Sequence, residues 1–323
     1  MEKTALITGI SGQDGSYLSR LLVEKGYKVV GTVRSYKCTN KINLEYLGIE
    51  KRVIIEELDL LDISNILRLI QKYRPVEIYN LAAQSSVSLS FEQPLGTFSF
   101  NTISVNNLLE SIRLLSTETK LYQASTSEIY GKTSTMPINK YTRMYPASPY
   151  AVSKMAAHFM IINYRESYNL FACNGILFNH ESFLRSENFF VKKIIKNSIL
   201  IKNNKLRYLE VGDLSIKRDF GYAPLYVEAM WKMLQLEKPI DCIICSGKSI
   251  MLQEIVDYVL KKIGLDNSII VTKNDLFRPN EIRDIYGDNS EAKDILDWNY
   301  NISFFDVIDI LIKEELDYYK KNF

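Results

Sequence analysis

The chain has 323 residues, of which 46% are hydrophobic and 24% charged, as is usual for a globular protein with a large core. Its 40 basic and 38 acidic residues are mixed along the sequence and give a formal net charge of +2, so we expect no nucleic-acid partner. No apolar run is long enough to cross a bilayer, and Lys3, Thr4 and Thr8 interrupt any signal peptide, so we expect a cytoplasmic protein that does not bind membranes.

Residues 4–33 have the pattern of a βαβ unit. An apolar strand at 4–8 is followed by an amphipathic helix that stops near Gly26 and by a second strand at 28–33. The turn after the first strand contains Gly9, Gly12 and Gly15. Glycines at this spacing allow a tight turn and let backbone N–H groups approach a pyrophosphate at the helix N-terminus. The unit predicts a dinucleotide cofactor; an ordinary glycine-rich turn is the alternative.

The residue after the second strand indicates which dinucleotide binds. An acidic residue there bonds the adenosine ribose 2′-hydroxyl of NAD, whereas an arginine accommodates the 2′-phosphate of NADP. This chain has Arg34, followed by Lys37, and no carboxylate close to them. The sequence favours NADP, with NAD as the alternative, and leaves open that Arg34 is an ordinary surface arginine.

Strands and helices continue to alternate up to residue 175. We predict strands at 53–57, 77–83 and 120–125 and helices at 63–73 and 95–115. Asp59 and Leu60 lie in the loop that borders the adenine in many dinucleotide-binding folds. Thr126, Ser127 and Glu128 follow the carboxyl end of a strand, where open parallel sheets bind ligands. Helix capping or turn formation is the alternative for any one of these three residues.

Tyr150 and Lys154 are four residues apart in a predicted helix over 150–170, so their side chains share one face. A phenol has a pKa of about 10, and a neighbouring cation lowers it. Such a pair suits removal of an alcohol proton while a hydride leaves the same carbon. The spacing alone is weak evidence, because the chain has 21 tyrosines and many lysines.

After residue 175 the pattern is looser. We predict strands at 176–178 and 206–211 and helices at 189–200, 224–236, 253–264 and 302–321. Cys242 and Cys245 form a CxxC pair in a strand-like run, where alternation points the two sulfurs to opposite faces. The four cysteines, which include Cys38, are scattered and only two histidines are present, so we expect buried thiols, no disulfide framework and no metal site.

Seven longer segments resemble a known family. They are ALITGISGQDGSYL (5–18), NLAAQS (80–85), YQASTSEIYGK (122–132), SPYAVSK (148–154), NYRESYNLFACNGILFNHES (163–182), RDFG (218–221) and FRPNE (277–281). On these segments the chain is identified as an extended short-chain dehydrogenase/reductase similar to the GDP-mannose 4,6-dehydratases. The strand and helix pattern and the resemblance together predict an α/β fold with a Rossmann-type, doubly wound parallel sheet. We expect residues 1–175 to bind NADP, with some later segments returning to that domain, and residues 176–323 to form a smaller, interleaved lobe that binds the nucleotide-sugar.

The resemblance implies catalytic roles for four residues. Tyr150 takes the proton of the sugar O4 hydroxyl while C4 gives a hydride to the nicotinamide, Lys154 holds the nicotinamide ribose and lowers the Tyr150 pKa, and Thr126 orients O4. The 4-ketone acidifies the C5 proton, which Glu128 removes before assisting the loss of the C6 hydroxyl as water. Hydride then returns to C6, so there is no net oxidation.

The remaining implied contacts fall into two sets. The cofactor-binding residues are Gly9, Ser11, Gly12, Gln13, Asp14, Gly15, Arg34, Asp59, Leu60, Leu81, Ala82 and Ala83, together with Tyr150 and Lys154. The substrate-binding residues are Ser85, Asn179, Lys193, Arg218, Arg278 and Glu281. Two arginines suit a diphosphate because they donate charge-assisted hydrogen bonds; structural ion pairs are the alternative for each.

The chain departs from the family pattern in the loop after Ser182. Family members typically have Pro-Arg-Arg-Gly-Glu there, whereas this chain has Phe183-Leu184-Arg185-Ser-Glu187. We expect the loop to form a bulkier, less charged wall near the sugar, which would accommodate an acetamido group at C2. The best interpretation is therefore GDP-N-acetylglucosamine, as in the dehydratase of legionaminic acid synthesis, with GDP-mannose as the alternative.

Two other kinds of function remain open at this stage. A nucleotide-sugar 4-epimerase or 4-reductase on the same fold is disfavoured by Glu128 within Thr-Ser-Glu. A non-catalytic NADP-binding protein is disfavoured by the presence of Thr126, Glu128, Tyr150 and Lys154 together. The chain also differs from the family pattern at Arg34 to Lys37 and at Ser86, so the resemblance says less about how NADP is bound and about contacts in a tetramer. We expect a homodimer or a homotetramer.

Overall fold

The computed structural model describes residues 3–37 and 41–322, so that Cys38 lies outside the described residues. The first elements in chain order are β1 (Thr4–Thr8), α1 (Gln13–Glu24), β2 (Lys28–Val33), α2 (Ile42–Tyr46), β3 (Ile54–Glu57), α3 (Ile63–Tyr73), β4 (Glu77–Asn80), α4 (Val87–Glu92), α5 (Pro94–Leu115), β5 (Lys120–Thr126), α6 (Pro149–Tyr168) and β6 (Ala172–Leu177). They are followed by β7 (Asn179–Glu181), α7 (Phe190–Lys202), β8 (Leu209–Val211), β9 (Lys217–Tyr222), α8 (Ala223–Gln235), β10 (Cys242–Ile244), β11 (Ser249–Met251), α9 (Leu252–Ile263), β12 (Ile270–Thr272), α10 (Ser290–Leu296) and α11 (Phe304–Asn322).

A seven-stranded parallel sheet lies at the centre of the fold, in the order β10-β6-β5-β4-β1-β2-β3. Alternate residues of its strands enter different hydrophobic clusters: Ile7 and Tyr122 pack on one face, and Leu6 and Leu121 on the other. Burial on both faces explains why these strands read as apolar runs in the sequence. The predicted α/β class with a Rossmann-type sheet is confirmed.

Smaller sheets carry the later part of the chain. β9 pairs with β7 in parallel and with β11 antiparallel, and β8 pairs with β12. Their apolar side chains pack with those of α7, α9 and α11 in a separate cluster. β10 returns to the main sheet beside β6. Within the described residues, no helix is long and apolar enough to cross a membrane.

Sequence patterns predicted the long elements and missed several of the short ones. The elements that were not predicted are the helices α2, α4 and α10 and the strands β7, β9, β11 and β12. Elements of three to seven residues do not complete enough periods to be recognised. The strand predicted over 77–83 ends at Asn80, and the one predicted over 206–211 begins at Leu209.

The CxxC pair has the arrangement that strand alternation predicts. Cys242 packs with Tyr122 in one cluster, and Cys245 packs with Ile129 in another. Both thiols are buried and free, and burial raises the pKa of each. A raised pKa keeps a thiol protonated, which opposes metal binding and redox chemistry.

Candidate active site

A cleft of about 1080 Å³ opens at the carboxyl end of the central sheet. Residues from both parts of the chain line it. Thirteen of the residues predicted from the sequence are among them: Asp14, Leu81, Ala83, Ser85, Thr126, Glu128, Tyr150, Lys154, Asn179, Lys193, Arg218, Arg278 and Glu281. The four candidate catalytic residues therefore share one cavity, as the topology of a parallel sheet requires.

The glycine turn between β1 and α1 needs the small residues that it has. Gly9 has φ +72°, and a Cβ there would lie 3.0 Å from the Ala82 amide nitrogen. A Cβ on Gly15 would lie 2.3 Å from the Gly9 carbonyl oxygen, so this residue sets how closely α1 packs on the turn. Gly12 begins α1 without a side-chain cap. The first backbone N–H groups of the helix therefore lack a side-chain acceptor from Gly12, as suits an anion-binding turn.

A buried polar network fixes the segment after β4. The Thr8 hydroxyl donates to Asn80 Oδ1 (2.6 Å) and accepts from the backbone N–H groups of Leu81 and Ala82 (3.1 Å each). Asn80 Nδ2 in turn donates to Gln123 Oε1 (2.7 Å). The network ties β1, β4 and β5 together where the segment 81–83 enters the cleft.

Helix α6 presents Tyr150 and Lys154 to the cleft. It begins at Pro149 because the Ser148 hydroxyl accepts from the Ala151 N–H (3.1 Å), and it ends at Asn169 in the left-handed conformation. The Lys154 ammonium is buried and donates to the Ala124 carbonyl oxygen (2.8 Å). Burial lowers the pKa of Lys154 to about 8.

The pKa of Tyr150 differs from the sequence expectation. Burial raises it to about 12, and a hydrogen bond with Thr126 opposes the rise. The charges that act most on the phenol are those of Glu128 and Asp14, which raise the pKa, and of Arg185, which lowers it. Arg185 is the cation among these groups. The Lys154 ammonium donates to the Ala124 carbonyl oxygen of β5.

Glu128 lies one residue into a 3-10 turn, Ser127–Tyr130, that begins where β5 ends. The Thr126 hydroxyl caps this turn by accepting from the Glu128 N–H (3.3 Å). Thr126 therefore has the capping role that was the alternative to a catalytic one, and it also contacts Tyr150. The turn directs the half-buried Glu128 into the same cleft as the phenol.

The predicted substrate-binding arginines share one carboxylate. Arg218 Nη2 lies 2.7 Å from Glu281 Oε1, and Arg278 Nη1 lies 3.6 Å from the same oxygen. Arg218 is buried, whereas about a third of the Arg278 side chain is exposed. Ion pairing, the alternative for both residues, is therefore present in the protein alone. All three residues still line the cleft.

The other predicted cofactor residues lie outside the lining of the cleft: Gly9, Ser11, Gly12, Gln13, Gly15, Arg34, Asp59, Leu60 and Ala82. Arg34 is exposed at the end of β2, with its guanidinium 5.4 Å from the centre of the Phe100 ring. Asp59 Oδ1 accepts from the Leu61 N–H (2.9 Å), and Leu60 is buried with its carbonyl bonded to Asn107.

His180 and Arg185 are among the cleft residues that the sequence did not single out. His180 Nε2 lies 2.9 Å from the Asp14 carboxylate, and its Nδ1 lies 2.7 Å from the Phe178 carbonyl oxygen. Burial alone would raise the pKa of Asp14, but His180 and Arg185 outweigh it and the pKa is lowered. The quoted NHES motif contained His180, but no spacing rule links it to a residue 166 positions earlier.

Phe183 and Leu184 correct an expectation. Both side chains are buried in the main hydrophobic cluster, and Phe183 packs against Tyr46 and Tyr318. Neither lines the cleft. The expected bulky apolar wall beside the sugar is therefore wrong, because the loop turns these side chains into the core and directs Arg185 towards the cleft.

No cluster of three or more metal-ligating side chains occurs in residues 3–37 and 41–322. Comparisons with known proteins show the family. The family model for GDP-mannose 4,6 dehydratase matches residues 6–311. The GDP-mannose 4,6 dehydratase of Drosophila melanogaster is 39% identical over 347 residues, covering 99% of this chain and 88% of that protein. The chain belongs to the GDP-mannose 4,6-dehydratase family.

Solved structures show the same fold at lower identity. A dTDP-glucose 4,6-dehydratase of Streptomyces venezuelae with NAD bound has a TM-score of 0.88 and 20% identity, covering 99% of this chain and 97% of that one. The UDP-glucose 4-epimerase of Thermotoga maritima with UDP-glucose has a TM-score of 0.87 and 21% identity, covering 98% of this chain and 99% of that one. The fold is thus common to dehydratases and epimerases.

Proposed function

We propose that the protein is an NADP-dependent 4,6-dehydratase of a GDP-sugar and that GDP-mannose is its preferred substrate. The observation that carries the proposal is that Thr126, Glu128, Tyr150 and Lys154 line one cleft in a chain that belongs to this family. An epimerase or reductase needs the phenol and the ammonium, but it has no use for an added carboxylate that takes a proton from C5.

The residues present fit a dinucleotide. The glycine turn leaves no room for a Cβ at Gly15, and α1 begins without a side-chain cap. When bound, the nicotinamide supplies a reversible hydride acceptor, so that the hydride taken from C4 is available for C6. The turn and the N-terminus of α1 would hold the pyrophosphate, the segment 81–83 would border the nicotinamide half, and Lys154 would hold its ribose. Exposed Arg34 supports NADP over NAD, because a 2′-phosphate needs a cation at the end of β2.

Tyr150 is the base that takes the O4 proton. Its raised pKa keeps the phenol protonated near neutral pH in the protein alone, so nearby cations must favour the phenolate during turnover. The Thr126 hydroxyl contacts the phenol and the Glu128 N–H and is available to orient O4 by a third hydrogen bond.

Glu128 performs the elimination. Oxidation at C4 acidifies the C5 proton, which the carboxylate removes as a general base. The same carboxyl group, now protonated, gives its proton to the C6 hydroxyl as it leaves as water. One carboxyl group serves both steps if C5 and C6 stay within its reach, and the short turn that holds Glu128 restricts how far it can move.

Arg218, Arg278 and Glu281 support binding of the nucleotide diphosphate. The Arg218–Glu281 contact fixes a buried guanidinium in the cleft. Partly exposed Arg278 retains donors for a phosphate, and Glu281 suits a ribose hydroxyl. Asn179, Ser85 and Lys193 also line the cleft and would contact the sugar diphosphate.

GDP-mannose is the preferred sugar in this proposal for two reasons. The family model and the Drosophila relative are named for GDP-mannose. In addition, the argument for GDP-N-acetylglucosamine depended on Phe183 and Leu184 beside the sugar, and both residues lie in the core. Activity on GDP-N-acetylglucosamine, which was the best interpretation of the sequence, stays an untested prediction.

The test is to incubate the purified protein and NADP with a panel of GDP-, UDP-, CDP- and dTDP-sugars and to follow loss of one water by mass spectrometry. We expect dehydration of GDP-mannose with a higher kcat/KM than for GDP-N-acetylglucosamine. A clearly higher kcat/KM for the acetamido sugar would overturn the sugar assignment and leave the reaction class intact. Interconversion without mass change would instead identify an epimerase.

A homodimer or homotetramer is also part of the proposal. α5 and α6 pack together, and their outer faces expose Leu95, Phe98, Ile103, Val152 and Phe159. Apolar side chains gathered on one surface favour association with another protein surface. Light scattering during gel filtration would report the mass, and a monomer at micromolar concentration would contradict this part. A cytoplasmic location stays a prediction.

A further inference from the structure

Arg185 is held on two sides at the edge of the cleft. Its guanidinium carbon lies 3.6 Å from the centre of the Phe189 ring, and its Nε lies 3.6 Å from Glu181 Oε1. Only 18% of the Arg185 side chain is exposed. An arginine stacked on an aromatic ring and facing a carboxylate has few other rotamers open to it.

Glu181 is an unusual residue to find in this position. It is the last residue of β7, its side chain is 4% exposed, and it lines the cleft. Oε2 has no hydrogen-bond partner in the part of the chain that the structure describes. Burial raises the pKa of Glu181, and the charges of Arg185 and His180 oppose the rise. A buried carboxylate is costly unless it is paired, so its presence needs a reason.

The position of the Arg185 charge has consequences for two groups in the cleft. It lowers the pKa of Asp14, which contacts His180 beside the glycine turn. It also lowers the pKa of Tyr150, against the opposite effect of Glu128. Such interactions fall off with distance, so a guanidinium that swings into solvent loses both.

We propose that Glu181 and Phe189 are positioning residues that hold the guanidinium of Arg185 in the cleft that Asp14 and Tyr150 also line. Glu181 does not touch the reacting atoms in this scheme and acts through Arg185. The catalytic part of this inference rests on the proposed dehydratase function. The positioning part does not, because it concerns where a guanidinium lies in the protein itself.

Site-resolved labelling with phenylglyoxal tests the positioning part in the unliganded protein. The variants are Glu181→Gln, which keeps the shape but removes the charge, and Phe189→Leu, which removes the ring without altering the buried carboxylate. We expect the Arg185-containing peptide to be modified about tenfold faster in either variant, because each variant removes one of the two contacts that hold the guanidinium. Glu187→Gln is the matched control, because this exposed glutamate is on the same loop but pairs with Lys196. Unchanged labelling in both folded variants, judged by circular dichroism, would overturn the proposal.

A double-mutant cycle tests the catalytic part. We expect Glu181→Gln to lower kcat for GDP-mannose about tenfold in the unmodified chain and to have no further effect in the Arg185→Gln background. Equal effects in both backgrounds would show that Glu181 does not act through Arg185. Because Arg185 lowers the Tyr150 pKa, Arg185→Gln should also move the acid limb of the kcat profile to higher pH. If the unmodified protein dehydrates no sugar, the proposed function fails, while the labelling result still decides whether Arg185 is held.

Discussion

Replacing Lys154 by methionine should stabilise the protein and remove its activity. The Lys154 ammonium is 5% exposed, and the contact found for it within the described residues is the Ala124 carbonyl oxygen at 2.8 Å. No carboxylate compensates its charge, as burial alone accounts for its lowered pKa. Methionine keeps much of the length and the helix propensity of lysine without the charge.

The size of the expected stabilisation follows from the lowered pKa of Lys154. A fall from 10.5 to about 8 disfavours the charged form in the folded protein by about 3 kcal/mol. The lost hydrogen bond offsets about 1 kcal/mol, and the Ala124 carbonyl keeps a second donor, Gln123 Nε2, at 2.9 Å. We therefore expect Lys154→Met to raise the free energy of unfolding by about 2 kcal/mol at pH 7.

The difference in stability between the two proteins depends on pH. Because the pKa of Lys154 is lower in the folded protein than in the unfolded chain, the unfolded chain binds more protons between about pH 8 and 10.5. The penalty is complete below pH 8 and disappears as the pH rises through this interval. The advantage of Lys154→Met should therefore shrink towards pH 10.5.

Urea unfolding of the cofactor-free proteins, at pH 7 and at intervals up to pH 10.5, is the assay. Lys192→Met is the matched control. Lys192 is also buried, but it pairs with the buried carboxylate of Glu315, and its loss should destabilise the protein by about 3–5 kcal/mol. A lower urea midpoint for Lys154→Met, or a difference that does not change with pH, would refute the reasoning.

Three further outcomes are expected. Glu128→Gln should leave NADP binding within about twofold of the unmodified protein and abolish loss of water; full dehydratase activity in that variant would contradict the assigned reaction. NADP should bind more tightly than NAD, and Arg34→Ala should reduce the ratio of the two affinities about tenfold, as titration calorimetry would measure. Equal affinities in the unmodified protein would mean that Arg34 has another role. Gly15→Ala should weaken NADP binding and lower stability by about 1–3 kcal/mol, because its Cβ would meet backbone atoms at 2.3 and 2.7 Å. Gly96→Ala is the control and should not lower stability or NADP binding, because a Cβ on Gly96 would meet no atom within 4 Å. Equal losses of stability and binding in both variants would contradict the close-packing argument.

The sequence predicted the parts of the site that depend on local pattern. The i, i+4 spacing of Tyr150 and Lys154 and the glycines at the first turn are periodic features, and both lie where the pattern indicates. The loop 183–189 has no period, so the direction of each side chain depends on what the folded chain places beside it. Phe183 packs in the core, where its ring contacts Tyr46 and Tyr318. The pairing of Asp14 with His180, 166 positions apart, is likewise visible only once β7 lies beside the glycine turn.

The fold by itself does not choose between dehydration and epimerisation. A 4,6-dehydratase and a 4-epimerase superpose almost equally well on this chain, with TM-scores of 0.88 and 0.87. In the proposed mechanism, both reactions would begin with removal of a hydride at C4 and would use the phenol of Tyr150 and the ammonium of Lys154 on α6. In the same proposal, the difference would arise at the end of β5, where a turn of four residues directs Glu128 into the cleft. Its charge raises the pKa of Tyr150, so the carboxylate that makes elimination possible also opposes the first oxidation. The guanidinium of Arg185 acts on the same phenol in the opposite direction, and a second carboxylate, Glu181, is therefore useful in this cleft if it keeps that guanidinium in place.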